Sequence, residues 1–390
     1  GMVSSKLAVG VRLAERYKIT DFIGSGGFAE VYEAHDERLG RTVAIKVLRI
    51  LDDTEDPFER EEVLARFEHE ATLAARISHP NVVSIHDYSV FEGKPFIVME
   101  RLRGLDLRDE LSRNGGLAPA RLWPLLLRCL DAVAAGHDLG IVHKDLKPAN
   151  LFLTEPGGEG EDLKVLDFGI ARVMDADASL THTGKVLGTA RYMAPEYIQN
   201  KNNVSTGVDV YQMGLIIVEL LTGSPVVHED EYLPAVFRHS TGDLDLPLYL
   251  LESPLGPVLC RALAFDVRQR YSDMRSLRRA LDGVDPQSIP QAPTGQMEHR
   301  SLRTISAGPM SVVPLSAAGP VTPPRAVVLG SAQTMDAEVM GVSPTISAPG
   351  FSVTPAPMAM PPHAMTPNVQ VPIASGGRRR MVAMGVAMAV

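Results

Sequence analysis

The densest run of chemistry-capable side chains is His143-Lys144-Asp145-Leu146-Lys147-Pro148-Ala149-Asn150, which sets a carboxylate, an ammonium and an amide within eight residues. Asp145 in such a cluster can accept a hydroxyl proton and aim the oxygen. Lys147 can neutralise charge on a moving phosphoryl group, and Asn150 can offer a metal-binding oxygen. Further on, Asp167-Phe168-Gly169 follows the apolar run 163–166, and an aspartate at the end of such a strand is well placed to bind a hard divalent cation. Upstream, Ile23-Gly24-Ser25-Gly26-Gly27-Phe28-Ala29-Glu30-Val31 is a glycine-rich turn whose bare backbone can approach phosphate oxygens. Alone it is a weak signal, since most such hairpins are only turns. Val43-Ala44-Ile45-Lys46 on the next strand changes the weighing, because a lysine in an apolar strand places an ammonium where a phosphate would sit. Glu70 is suited to hold that lysine by an ion pair. The plainer alternatives are a snorkelling edge lysine and a solvated helix face. Any one of these segments could be an ordinary loop; the whole set in this order is not explained by structure alone.

Strand signals surround the glycine turn. Residues 17–23, 29–34 and 42–47 carry β-branched and aromatic residues between Gly-rich or charged turns, which predicts an antiparallel hairpin and a third strand. Val63, Phe67, Leu73, Ala74 and Ile77 recur at helical spacing over 59–77. Two further strands are expected at 82–88 and 96–99. After residue 100 helices dominate. Leu122, Leu125, Leu126, Cys129, Leu130 and Val133 form one apolar face, opened by Pro119 and closed before Gly140. Residues 213–221 are nearly all apolar and read as a buried helix. A small sheet lobe followed by a larger helical lobe is the implied plan.

Composition sets the outer limits. The chain has 390 residues, 45% hydrophobic and 22% charged, enough for a large two-lobed domain plus a tail. Its net charge of −9 argues against nucleic acid as a partner held by general electrostatic attraction. Cys129 and Cys260 are the only cysteines, which excludes a disulfide scaffold and a zinc ribbon and suits a reducing compartment. Gly1 before Met2 reads as a cloning scar, and residues 1–16 as an N-terminal extension. Residues 284–377 hold 16 of the 29 prolines and one aromatic, Phe351, so they are expected to form a disordered linker. Arg378-Arg379-Arg380 then precede an uncharged run, 381–390. Ten residues fall short of the roughly 20 needed to cross a bilayer. The run is expected to be the start of a membrane-spanning segment with its arginines on the cytoplasmic side; a hydrophobic tail is the alternative.

Taken together, the motifs resemble the eukaryotic-like (Hanks-type) protein kinase family over about residues 17–283. The resemblance implies an α+β, two-lobed fold, with a small antiparallel β-sheet lobe carrying one helix and a larger, mainly helical lobe. It implies ATP and Mg²⁺ as cofactors. Gly24, Gly26 and Gly27 then cover the phosphates, Lys46 contacts the α- and β-phosphates, and Glu70 orients Lys46. Ile23, Val31 and Ala44 join the nucleotide site, Met99 lies behind the adenine, Glu100 to Leu102 form the hinge, and Asp106 contacts the ribose. Asp145 is the catalytic base, assisted by Lys147, while Asn150 and Asp167 hold the metal. Thr189 bonds the catalytic loop, Glu196 of Ala194-Pro195-Glu196 pairs with Arg270, and Asp209 braces the catalytic loop. Ser179, Thr181 and Thr183 are the expected activation-loop phosphosites.

Three features depart from or fall outside that pattern. Ala29 stands at the third loop glycine, where a small residue costs little. Trp123 has no family role and reads as packing. Lys144 replaces the arginine that receives an activation-loop phosphate in a bidentate fork, which lysine cannot reproduce. Lys147 with Gly188-Thr189 looks like the Ser/Thr subtype. The acidic connection of Asp52, Asp53, Glu55 and Asp56, the Pro/Thr-rich linker and the basic-then-apolar end are similar to bacterial receptor-type Ser/Thr kinases. Such a protein would take protein substrates, form a homodimer for trans-autophosphorylation, and sit at the inner membrane with its kinase domain in the cytoplasm. A pseudokinase or nucleotide-gated binding module is the alternative reading. A small-molecule phosphotransferase would lack the Ala-Pro-Glu element present here.

Overall fold

Alternating burial builds the N-terminal lobe. The computed structural model describes residues 6–26, 29–49, 56–168, 190–200, 204–229, 231–293 and 297–302. Strands β1 (Arg12–Leu13), β2 (Tyr17–Ser25), β3 (Ala29–Asp36), β4 (Arg41–Leu48), β5 (Ile85–Phe91) and β6 (Lys94–Glu100) form one antiparallel sheet in the order β1-β2-β3-β4-β6-β5. Successive side chains of a strand face opposite ways. On one face Val43, Ile45 and Val47 pack with Tyr17, Ile19, Tyr32, Phe96 and Val98. On the other, Ala29, Leu48 and Ile97 pack against Val63, Phe67 and Ala71 of helix α1 (Pro57–Ala75). That second face carries Lys46. Helix α1 starts two residues earlier than its apolar spacing suggests, because Asp56 accepts the Phe58 amide at 2.9 Å and Pro57 occupies the first helical position.

One strand boundary moves for a tertiary reason. The apolar run at Val82 suggested a strand from 82, but β5 begins at Ile85. The Asn81 amide donates to the Leu163 carbonyl at 2.7 Å and to Asp162 at 2.8 Å, and Val82 bridges Val165 in parallel. Residues 81–83 are thus drawn onto the other lobe before the sheet is entered.

The second lobe is mainly helical. Strand β7 (Gly104–Asp106), β8 (Leu151–Thr154) and β9 (Asp162–Val165) make a small sheet, with α2 (Leu107–Asn114) and α3 (Pro119–Asp138) between the first two. Helices α4 (Pro195–Gln199), α5 (Gly207–Thr222), α6 (Tyr232–Thr241), α7 (Leu248–Leu251), α8 (Gly256–Ala262) and α9 (Met274–Asp282) follow. Every residue of α5 from Gly207 to Leu221 is buried, the signature of a helix at the centre of a core rather than on its rim. Trp123 is buried and packs in the same core. A Cβ at Gly136 in α3 would fall 2.6 Å from the Phe168 ring, so glycine is what lets that ring close on the helix.

Ordered packing continues past residue 283, where the linker is expected to begin. Val284, Ile289 and Leu302 are buried in the helical core. Strand β11 (His299–Ser301) pairs antiparallel with β10 (Asp245–Pro247), and the Leu302 amide donates to the Leu244 carbonyl at 2.9 Å. The proline-rich composition hid this short strap, whose few apolar residues find a seat only once the lobe exists. Gly27, Ser179, Thr181, Thr183, Thr189 and the segment 303–390, including Arg378-Arg379-Arg380, lie outside the described residues.

Candidate active site

Buried helix α5 holds the loop 143–150 by its backbone. Asp209 Oδ2 accepts the His143 amide at 2.8 Å and meets His137 Nε2 at 2.8 Å, while Oδ1 accepts the Lys144 amide at 2.8 Å. Burial opposes ionisation of Asp209, but the His137 contact and the loop amides hold its carboxyl below the usual range. Nearly one turn later, Gln212 accepts the Leu146 amide at 3.0 Å and donates to the Lys144 carbonyl at 2.8 Å. Lys144 sits at φ 68°, a left-handed conformation costing about 1–2 kcal/mol for a residue with a Cβ. Bonds on both sides of that residue keep it there. The His143 ring meets the Leu166 carbonyl at 2.7 Å and lies 4.7 Å from the Phe168 ring, joining this loop to the strand end that carries Asp167.

Side chains of the loop converge on Asp145. Lys147 Nζ is 2.7 Å from Asp145 Oδ2, and Asn150 Nδ2 donates to the same oxygen at 3.1 Å and to the Asp145 carbonyl at 2.6 Å. The amide nitrogen of Asn150 is therefore committed, which turns its oxygen away as an acceptor.

Lys46 meets a carboxylate from the other lobe. Its Nζ lies 2.6 Å from Asp167 Oδ2, with 17% and 22% of the two side chains exposed. Glu70, the residue expected to orient this lysine, is buried on α1, and the ammonium reaches the carboxylate facing it across the cleft. Burial works against the Asp167 carboxylate, yet Lys46, and more weakly His143 and Lys147, hold its carboxyl below the ordinary range. Asp167 is at φ 61°, so two non-glycine residues of this site are left-handed. Among the described residues no cluster of three or more His, Cys, Asp and Glu could enclose a metal by itself. Asp167 and Asn150 instead offer two oxygens of the hard type, a set that fits a divalent ion completed by phosphate and water oxygens.

The cleft roof meets open space. A Cβ at Gly24 or Gly26 would find no atom within 4 Å, so packing within the protein makes no demand for glycine there. What these residues supply is uncovered backbone. The loop is tethered by the Gly26 amide to Ala29 O at 2.8 Å and by Arg49 to the Gly26 carbonyl at 2.8 Å. Val31 stands opposite both Gly24 and Lys46 in the register, and Ala44 opposite Met99; Ile23 is 42% exposed. Met99 lines a small apolar cavity with Ala74, Ile85, Ile97 and Phe168. At the crossing between lobes, Glu100 accepts the Ser84 amide at 2.8 Å and Lys164 Nζ at 2.7 Å, and Arg101 contacts the Leu102 carbonyl. Asp106 caps α2 through the Asp109 amide at 2.8 Å. Burial pushes its carboxyl above the usual range, against the pull of that amide and of Arg108.

The Ala-Pro-Glu element is anchored by a buried arginine. Glu196 receives Arg270 in a two-pronged pair at 2.7 and 2.9 Å, and the guanidinium lies 4.6 Å from the centre of the Tyr211 ring. Asn81, Gln212, Arg49, Tyr211 and His239 are structural partners that the sequence did not mark. Their types are common, and only the fold brings them to groups distant in sequence.

A glycine-roofed cleft between a sheet lobe and a helical lobe, with Lys46 and Asp167 across it and Asp145 beneath, defines the two-lobed protein kinase class. Residues 17–278 match the family described as protein kinase domain, and the chain belongs to that family. It is 39% identical over 236 residues to the probable serine/threonine-protein kinase PknB of Corynebacterium glutamicum, covering 59% of this chain and 35% of that protein. Against serine/threonine-protein kinase PknB of Mycobacterium tuberculosis it is 35% identical over 309 residues, covering 77% and 48%. The chain thus spans about a third to a half of these relatives' length. A crystal structure of the M. tuberculosis PknI kinase domain superposes with a TM-score of 0.56 at 25% identity, covering 71% of this chain and 98% of that domain. The fold expected from the motifs is the one found.

Proposed function

We propose that this chain transfers the γ-phosphoryl group of Mg-ATP to serine and threonine hydroxyls of proteins, its own activation segment included. The observation that carries this reading is the Asp145 carboxylate held by Lys147 and Asn150 below a cleft roofed with uncovered backbone. Asp145 accepts the hydroxyl proton as the acceptor oxygen bonds to the γ-phosphorus and the bond to the β-phosphate oxygen breaks, releasing ADP. Lys147 offsets charge on the transferring group. Lys46, paired with Asp167 in this structure, is placed to share its charge with nucleotide phosphates. Asp167 and Asn150 would hold the divalent ion, Mg²⁺ in this reading, which supplies charge neutralisation on the phosphates when bound. The ribose and hinge roles of Asp106, Met99, Glu100 and Leu102 belong to the same reading.

Incubation with ATP and Mg²⁺ should add phosphate mass to the protein, mapping to Ser179, Thr181 or Thr183. No gain in mass and no transfer to any protein acceptor would remove this function. Because Lys144 gives a point charge rather than a fork, phosphatase treatment should lower wild-type activity a few-fold and that of a Lys144→Arg variant more. The backbone of Lys144 is already held by Asp209 and Gln212, which supports a loop ordered without phosphate. An equal loss in both proteins would refute the weakened switch.

Among the described residues no helix is long and apolar enough to cross a membrane. Arg378-Arg379-Arg380 and the apolar run behind them are proposed as the cytoplasmic flank and beginning of such a segment. Fractionation of the full-length gene product checks this, and recovery in the soluble fraction would eliminate it.

A further inference from the structure

One buried histidine ties the centre of the helical lobe to the segment just before Ala194-Pro195-Glu196. His239 on α6 has no exposed surface. Its Nε2 lies 2.9 Å from the Arg191 carbonyl oxygen, and its Nδ1 lies 2.9 Å from the Tyr211 hydroxyl. A carbonyl only accepts, so Nε2 carries the proton, and Nδ1 accepts from the tyrosine. Burial outweighs the carbonyl contacts of Arg191 and Ala190 and brings the imidazole pKa down to about 4, so the ring is neutral near pH 7.

The partners at each end give this bridge a function. Asp209 and Gln212, on one side of α5, hold the loop that carries Asp145. Tyr211 leaves the same helix about 200° round from Asp209, at about 100° per residue. Through His239 it reaches Arg191, in the short helical turn Ala190–Tyr192 that follows Thr189. Tyr192 in that turn donates its hydroxyl to Glu219 at 2.6 Å, again on α5. The Arg191 guanidinium is used separately, on the carbonyls of Glu229 and His228. One rigid helix therefore sets both the catalytic loop and the turn beside it.

We infer that His239 is a positioning residue for the protein acceptor: by fixing the Arg191 carbonyl it holds the turn 190–192 in register with Asp145, so that it governs acceptor binding and not nucleotide binding. This rests on the kinase reading above, with the acceptor taken to dock on the segment that ends at Glu196. A histidine that merely fills the core would affect stability and both substrates alike.

The test uses the full chain, ATP, and the peptide of residues 173–187 as acceptor. His239→Phe keeps the ring and loses both hydrogen bonds. It should raise KM for the peptide about ten-fold, with KM for ATP within two-fold of wild type. His239→Gln, which can still donate to the Arg191 carbonyl, should restore most of the loss, and Tyr211→Phe should give an intermediate rise. Hydrogen exchange gives a readout independent of catalysis: amides of 190–193 should exchange faster in His239→Phe and return toward wild type in His239→Gln. An unchanged peptide KM and unchanged exchange in folded His239→Phe would overturn the role. Parallel changes in both KM values and in melting temperature, not rescued by Gln, would reduce it to core packing. If His239→Phe does not fold, Tyr211→Phe and His239→Gln carry the same comparison. A wild-type protein that phosphorylates nothing defeats the kinase reading, while the exchange data still decide the role of His239.

Discussion

Asp145→Asn lowers the rate of phosphoryl transfer by about 10³-fold, within the span general-base removal produces, and leaves the melting temperature close to wild type. The amide has the shape of the carboxylate, so its oxygen can still receive Lys147 and the Asn150 amide, the contacts found at 2.7 and 3.1 Å. Its other end becomes an NH₂ group, which donates where an acceptor hydroxyl must donate. Ground-state nucleotide binding does not use that atom and should persist. Single-turnover transfer from ATP, measured beside nucleotide affinity, reads both quantities. A variant that transfers phosphate at the wild-type rate would show that Asp145 is not the base.

The largest stability effect is expected at Arg270. Its side chain is fully buried, and each of its five N–H groups has an acceptor. Nε donates to Ala264 O at 2.6 Å, one terminal nitrogen to Glu196 at 2.7 Å and Gly207 O at 2.9 Å, and the other to Glu196 at 2.9 Å and Phe265 O at 3.2 Å. Arg270→Met leaves a carboxylate and three carbonyls without these donors and should cost about 3–5 kcal/mol, the range for breaking a buried pair from one side. That corresponds to a fall in melting temperature on the order of 10 °C. Arg270→Lys should recover only part, since one ammonium cannot serve five directions. Adding Glu196→Gln to Arg270→Met should recover part as well, by removing the stranded charge. Thermal unfolding that stays within about 2 °C of wild type in Arg270→Met would contradict this account.

Residue order was enough to identify the parts of the site that are local. The loop from His143 to Asn150 places its donors and acceptor within eight residues of chain, so their types and spacing already imply their meeting. Gly24 and Gly26 stand out for a related reason: glycine in a strand-turn-strand is noticeable in the sequence because packing inside the protein does not call for it. The same holds for the strands around Lys46, whose period-two pattern is independent of what they pack against. Long-range choices escaped. That Lys46 meets Asp167 depends on how β4 and the chain after β9 are brought to the cleft, a meeting of two groups far apart in sequence. Gln212 and His239 are ordinary residues until the fold sets a carbonyl beside each.

By itself, then, the sequence determined the family, the order of its motifs, the alternation that makes the sheet lobe, and which residues are proposed as the base and as phosphate-facing. Those properties reside in residue type and short spacing, where backbone geometry leaves few alternatives. Only the tertiary structure decided that Lys46 is held by Asp167, that α5 pins the loop 143–150 on one side and reaches the turn 190–192 through Tyr211 and His239 on the other, and that Val284, Ile289 and Leu302 are buried in the folded lobe. Each of these joins groups far apart along the chain. Such pairings are fixed by which buried polar groups and apolar faces come together at closure, a condition on three-dimensional packing that no local pattern encodes.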